Sequence, residues 1–139
     1  MFIRGTPTNA QVVLKDRGCD PMGCGHYGAP RGEGLHRGVD LVAGPQWLIH
    51  SHVAGKVTKL GYPYAKDLSF RYVEVTDSDK YKHRFMYVAP MCNVGDSVLV
   101  GDIIGSCQDI AGKWGGGMKN HIHYEVKKGS EYYDPEKWL

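Results

Sequence analysis

Val53-Ala54-Gly55-Lys56-Val57-Thr58-Lys59-Leu60, Arg71-Tyr72-Val73-Glu74-Val75-Thr76 and His83-Arg84-Phe85-Met86-Tyr87-Val88 follow one another in quick succession. All three are rich in β-branched and aromatic residues, and the first two intersperse these with polar ones, as strands with one face in a core do. Gly, Pro, Asp or Ser bounds each run. Working outward, Gly38-Val39-Asp40-Leu41-Val42 and Trp47-Leu48-Ile49-His50 precede them. Val94 to Gly105 follows as two short apolar pieces punctuated by Gly-Asp turns, and His121-Ile122-His123-Tyr124-Glu125-Val126 is the last strand-like run. No stretch repeats apolar residues at i, i+3, i+4 and i+7 over a useful length. The pattern predicts an all-β domain, a small antiparallel β sandwich or open barrel, with a long loop over Gln108 to Asn120. Residues 1–33 lack this periodicity and carry glycines among Cys19, Pro21, Cys24 and Pro30, so they read as an irregular N-terminal arm packed on the domain formed by 34–139.

Composition agrees and excludes several functions. A chain of 139 residues is one domain's worth, burying roughly 65–70% of its unfolded surface without help from a staple. Nineteen Gly, seven Pro and nine Tyr favour turns and strands over helices. Seventeen Lys and Arg against fifteen Asp and Glu leave a formal charge of +2, with the basic residues scattered. That removes the footprint of a nucleic-acid binder and of a polybasic membrane surface. Lys56, Lys59, Lys66, Lys80 and Lys82 read as a solvated face. No apolar run approaches the ~18 residues of a membrane span, and the opening Met1-Phe2-Ile3-Arg4-Gly5-Thr6-Pro7 turns polar too soon for a signal-peptide core.

The chemistry lies in the histidines. Of seven, three stand in two compact groups, His36-Arg37-Gly38-Val39-Asp40 and His121-Ile122-His123. On a strand His121 and His123 project from the same face with Cα atoms roughly 6.5–7 Å apart. That spacing permits two imidazoles on one metal, or one on the metal and one beside it. His36 and Asp40 share parity, yet a straight strand would hold them about 13 Å apart, so the chain must fold back between them. Gly38 is the residue that allows a bulge or tight bend. Three ligands of the His/His/Asp type suit a zinc ion and leave a position for water, as catalytic zinc requires. The competing interpretation is a set of satisfied polar residues near a strand end.

His36-x-Gly38-Val39-Asp40, Val53-Ala54-Gly55-Lys56-Val57, Val94-Gly95-Asp96 through Gly101-Asp102-Ile103-Ile104-Gly105, and His121-x-His123-Tyr124-Glu125-Val126 resemble, in order and spacing, the lysostaphin-type (LytM-type) zinc metallopeptidases over residues 34–127. Upstream, Cys19-Asp20-x-x-Gly23-Cys24-Gly25-x-Tyr27-x-Ala29-x-Arg31 is similar to an animal branch of that family, the leukocyte cell-derived chemotaxin-2 proteins. The resemblance implies zinc held by His36, Asp40 and His123, with His121 as the base for the attacking water. Tyr27 is implied as a stabiliser of anionic charge. It also exposes a departure: the peptidases carry a further catalytic His in a Tyr-x-His-Leu segment, and Tyr87 stands in its place here. A phenol of pKa about 10 is no base near neutrality, though its hydroxyl can donate to an oxyanion. His83, four residues earlier, is about 13 Å along an extended strand and does not substitute.

Weaker signals complete the reading. His50-Ser51-His52 invites a second metal but has no carboxylate nearby, and surface or groove-lining histidines are the expectation. Met118-Lys119 superficially matches the Met-Lys of a biotinyl or lipoyl carrier, but it sits beside Asn120-His121 and not on a tight hairpin. The four cysteines are open to a four-thiolate zinc site, two disulfides or free thiols. Two disulfides are expected, Cys19–Cys24 and Cys92–Cys107, placing the chain outside the cytosol with its export signal absent. Two functions follow. One is a secreted zinc-binding domain acting mainly by binding a cell-surface protein or a bacterial cell-wall peptide. The other is an active zinc endopeptidase cutting peptidoglycan cross-bridges. Residue 87 separates them.

Overall fold

The computed structural model describes residues 2–7, 10–31 and 34–139. The chain up to Leu35 carries short strands, five in the arm and a sixth at the start of the body: β1 (Arg4–Thr6), β2 (Val12–Val13), β3 (Cys19–Asp20), β4 (Gly23–Cys24), β5 (Pro30–Arg31) and β6 (Gly34–Leu35). The body continues as β7 (Val39–Val42), β8 (Leu48–His50), β9 (Gly55–Gly61), β10 (Tyr72–Thr76), β11 (Lys82–Met86), β12 (Val88–Pro90), β13 (Ser97–Val98) and β14 (Ile103–Cys107). A short helix α1 (Ile110–Trp114), β15 (His121–Lys128), β16 (Glu131–Tyr133) and a 3-10 turn at Pro135–Trp138 end the chain. Among the described residues every strand pairing is antiparallel and no barrel closes, in keeping with the antiparallel β domain that the strand-like runs predict. Among the described residues, no helix is long and apolar enough to cross a membrane.

Two sheets face each other. One orders its strands β12-β14-β8-β1-β2; the other runs β13-β9-β10-β11-β15-β16, with β7 sharing the far edge of β15. Between them pack Ile3, Val39, Leu41, Ile49, Val57, Val73, Val75, Phe85, Ile104, Ile122, Tyr124 and Val126, all buried. Burying an aliphatic or Phe side chain of this kind is worth roughly 1.5–3 kcal/mol. The arm contributes directly: β1 pairs with β8, and Ile3 enters the core. Strand β15 is the pivot, since Ile122, Tyr124 and Val126 fill the core while His121, His123 and Glu125 share the opposite face by parity.

The structure corrects three expectations. The run His83 to Val88 is not one strand: it breaks at Tyr87, whose φ of 64° is left-handed, and the chain passes from one sheet to the other. The turn is held by Tyr87 N–H to Arg71 O at 2.9 Å and Gln108 N–H to Tyr87 O at 2.8 Å, which fix a conformation that a bulky residue rarely adopts. The segment Gln108 to Asn120 is not wholly loop, because Asp109 caps α1 by accepting from Gly112 N–H at 2.9 Å. Third, Cys19 and Cys24 form a disulfide, whereas Cys92 and Cys107 are free. In the β12–β14 ladder Cys107 lies opposite Val88. Cys92 is four residues further on, about 13 Å of extended chain and beyond what a disulfide spans.

Candidate metal centre

The β7–β15 ladder places Asp40 opposite His123. Gly38 lets the strands close up there, because a Cβ at that position would run into the Tyr124 carbonyl and the His123 ring. His36 lies just outside β7, where its backbone N–H donates to Ala29 O at 2.7 Å and its carbonyl accepts from Gly28 N–H at 2.8 Å. The fold-back demanded by the His36–Asp40 spacing is therefore made against the arm, and it brings His36 Nε2 to 3.2 Å from Asp40 Oδ1.

Hydrogen bonding fixes which imidazole nitrogens are bare. His36 Nδ1 faces the His26 carbonyl at 3.0 Å, an acceptor only, so it carries the proton and leaves Nε2 free. His123 Nε2 donates to Glu125 Oε1 at 2.9 Å and leaves Nδ1 free. The two free nitrogens lie 2.9 Å apart, and His123 Nδ1 is 3.0 Å from Asp40 Oδ1. Two lone pairs and a carboxylate oxygen converging in a buried place repel one another unless a cation or proton sits among them. The three groups offer ligand atoms all within 4.8 Å of one another, the donor set of a three-ligand zinc site. Without a metal a proton takes that role: burial opposes it, but Asp40 and Glu125 hold the His123 pKa up to about 9. Burial would raise the Asp40 pKa, yet hydrogen bonds from His123 and His36 keep it well below the usual carboxylate range.

His121 Nδ1 donates to Lys119 O at 2.7 Å, and its bare Nε2 is 3.5 Å from Asp40 Oδ2. Burial lowers its pKa despite the nearby carboxylate, so it is neutral near pH 7 and able to accept a proton. Tyr87 stands beside it, with ring centroids 5.6 Å apart, and 6.5 Å from the His123 ring. Its hydroxyl accepts from the Tyr64 hydroxyl at 3.2 Å, which in turn accepts from Trp114 Nε1 at 3.2 Å. Burial pushes the Tyr87 phenol well above its ordinary pKa, so it stays protonated. An open cleft of about 270 Å3 lies over His36, Asp40, His123 and Tyr87, with Arg31 and Arg37 at its rim. Tyr27 is half-buried against the hydrophobic core and does not line that cleft.

Two contributors went unassigned in the sequence. Glu125 shares parity with His123 and was legible as its neighbour. Arg17, which donates to Asp40 Oδ2 at 2.9 Å, gave no signal at all. Of the remaining histidines His26 is exposed, whereas His50, His52 and His83 are buried, with His50 and His52 lining a groove rather than standing at the surface. His50 donates from Nδ1 to Gly101 O at 2.9 Å and accepts from Thr6 Oγ1 at 2.7 Å. A larger cleft of about 580 Å3 runs past His50, Asp96 and Asp102. Among the described residues the only His/Cys/Asp/Glu group spaced for a metal is His36, Asp40 and His123.

Comparison with known proteins gives this geometry a family. The chain is 28% identical over 109 residues to leukocyte cell-derived chemotaxin-2 of Bos taurus, covering 78% of this chain and 71% of that protein. Its fold matches the catalytic domain of the antimicrobial peptidase lysostaphin from Staphylococcus simulans with a TM-score of 0.64 at 24% identity, covering 84% and 87% of the two chains. It also matches a zinc-containing peptidase from Vibrio cholerae, TM-score 0.58 at 21% identity, over 87% of this chain and 33% of that one. Residues 34–135 match peptidase family M23, and the chain belongs to that family.

Proposed function

We propose that this chain is a secreted zinc-binding domain on a metalloendopeptidase scaffold, similar to chemotaxin-2, that acts mainly by binding a protein or a cell-wall peptide and hydrolyses weakly or not at all. His36 Nε2, Asp40 Oδ1 and His123 Nδ1 would hold the ion, their bare atoms already converging. Zinc, when bound, supplies Lewis acidity to a carbonyl and acidifies water. His121 accepts a proton at Nε2, and Glu125 fixes the His123 tautomer. Tyr87 carries the argument against efficient hydrolysis: it fills the place beside His121 with a buried phenol that can donate a hydrogen bond but cannot take a proton. The cysteine usage supports the extracellular assignment, since Cys19 and Cys24 are bridged.

Turbidity of purified bacterial cell walls, followed with the zinc-loaded chain with and without chelator, tests the reading. Feeble or undetectable clearing beside stoichiometric zinc supports a binding role. Robust chelator-sensitive lysis would instead make the chain a working endopeptidase of peptidoglycan cross-bridges.

A further inference from the structure

Arg17 sits in the arm between β2 and β3, 2% exposed, remote in sequence from every candidate ligand. Its Nε and Nη2 donate to the two oxygens of Asp20 at 2.8 and 2.7 Å, and its Nη1 donates to Asp40 Oδ2 at 2.9 Å. Arg31 Nη2 stands 3.6 Å from the same Asp40 oxygen. The two oxygens of Asp40 are therefore divided: Oδ1 faces His36 and His123, and Oδ2 faces guanidinium groups. The backbone locks this arrangement, with Arg17 N–H on Asp40 O and Asp40 N–H on Gly25 O, both at 2.8 Å. Asp20 is anchored in turn by Lys119 N–H at 2.9 Å and Met22 N–H at 2.8 Å. It rides on the β3–β4 hairpin that the Cys19–Cys24 disulfide closes.

We propose that Arg17 is a positioning residue for the metal: by occupying Asp40 Oδ2 it restricts Asp40 to one oxygen toward the ion and so keeps a coordination position open. The inference rests on reading His36, Asp40 and His123 as the ligand set. An unrestrained carboxylate can close on a divalent ion through both oxygens. Here the second oxygen is held by a charge-assisted hydrogen bond from a buried cation that is itself fixed by a forked pair with Asp20. Taking that oxygen for the ion would leave part of a buried guanidinium unpaired, which is costly. The disulfide hairpin is thus the outer buttress of the metal site.

The test measures zinc affinity by competition with a chelator, and the visible absorption of the cobalt(II) form, on the full chain and on Arg17→Gln, Arg17→Lys and Asp20→Asn. Thermal unfolding of the metal-free forms establishes which variants fold. The unmodified chain should bind one zinc and show the intense absorption of four-coordinate cobalt. Arg17→Gln should lose roughly 10- to 100-fold in zinc affinity, the usual consequence of removing a partner behind a ligand. Its cobalt absorption should weaken as Asp40 adds its second oxygen. Arg17→Lys should recover part of both effects, and Asp20→Asn, which touches no ligand, should move both in the direction of Arg17→Gln but less. A folded Arg17→Gln with unchanged affinity and unchanged cobalt absorption would overturn the proposal and leave the pair a structural tie. If Arg17→Gln does not fold, unchanged values in both other variants overturn it equally. An unmodified chain that takes up neither ion would overturn the ligand set first, and this inference with it.

Discussion

Among the described residues two clusters of buried histidines share this small domain, and in only one do three ligand-type atoms converge as a metal site would need. Around His36 and His123 the outer nitrogens are tied to His26 O and Glu125, so the inner lone pairs converge on Asp40. Around His83 the nitrogens are spent in a chain instead. His83 Nε2 donates to Asp77 Oδ2 at 2.9 Å, its Nδ1 accepts from the Tyr124 hydroxyl at 2.7 Å, and that hydroxyl accepts from His52 Nε2 at 2.9 Å. Each donor meets an acceptor, leaving His52 Nδ1 as a buried nitrogen without a partner. Numbers of histidines do not distinguish the clusters. What does is where the carboxylate lies: at the centre of the ligand atoms in the first, at the end of a relay in the second.

Breaking the first cluster should have the largest effect. Asp40→Ala or His123→Ala should reduce bound zinc from one per chain to none by elemental analysis. It should also remove the stabilisation that a ligand of the native state alone provides, about 4 kcal/mol at a thousandfold excess over Kd. Protein purified without chelator that holds no zinc and takes none up would erase the contrast.

The next effect lies at the edge of the first cluster. Tyr87→His places an imidazole beside His121 where the phenol now stands, and should raise chelator-sensitive cleavage of a Gly-Gly substrate by roughly 30- to 1000-fold, about 2–4 kcal/mol of transition-state stabilisation. His121→Ala should abolish whatever cleavage exists. Unchanged rates in Tyr87→His would show that the left-handed turn at residue 87 aims the new side chain away from the site.

Much of the first cluster was legible because it rests on strand parity and on a spacing that forces a bend. Parity put His121 and His123 on one face, and the four-residue interval from His36 to Asp40 required a fold-back. The sheet switch at Tyr87 was not legible, since Tyr87-Val88-Ala89 carries no glycine and the turn is imposed by tertiary bonds to Arg71 and Gln108. Nor was α1, whose Asp109 cap is a local signal but whose length is below one amphipathic repeat. The free state of Cys92 and Cys107 depends on the β12–β14 register, and the burial of His50 and His52 on sheet packing; neither leaves a local trace.

The second cluster should reveal itself by acid. Burial, reinforced by His83, lowers the His52 pKa to about 3, and burial also lowers that of His83. In the unfolded chain a histidine titrates near 6.5, so between about 6.5 and 3 the unfolded state binds the extra proton and stability falls as pH falls. His52 alone should contribute a loss of about 1.4 kcal/mol per pH unit well inside that window. Urea unfolding of chelator-treated protein at pH 6 and pH 5, compared with His52→Phe, isolates the slope. A variant as acid-sensitive as the parent would mean that His52 is not the neutral core group described.

The smallest effect separates the clusters most sharply. His50 looks like a ligand in sequence, paired with His52 two residues on, yet each of its nitrogens is spoken for by a neutral partner, Gly101 O and Thr6 Oγ1. Removing the ring in His50→Ala deletes both hydrogen bonds. Gly101 is exposed and water can satisfy its carbonyl, whereas Thr6 is half-buried and loses more. The cost should be about 1–2 kcal/mol in urea unfolding, the worth of one or two neutral hydrogen bonds plus some lost packing. Zinc content should stay at one per chain, because no atom of His50 belongs to the convergent set. A loss of zinc in a folded His50→Ala would mean that the ion sits over the β8 side of the molecule, and that the bare nitrogens of His36 and His123 are not its ligands.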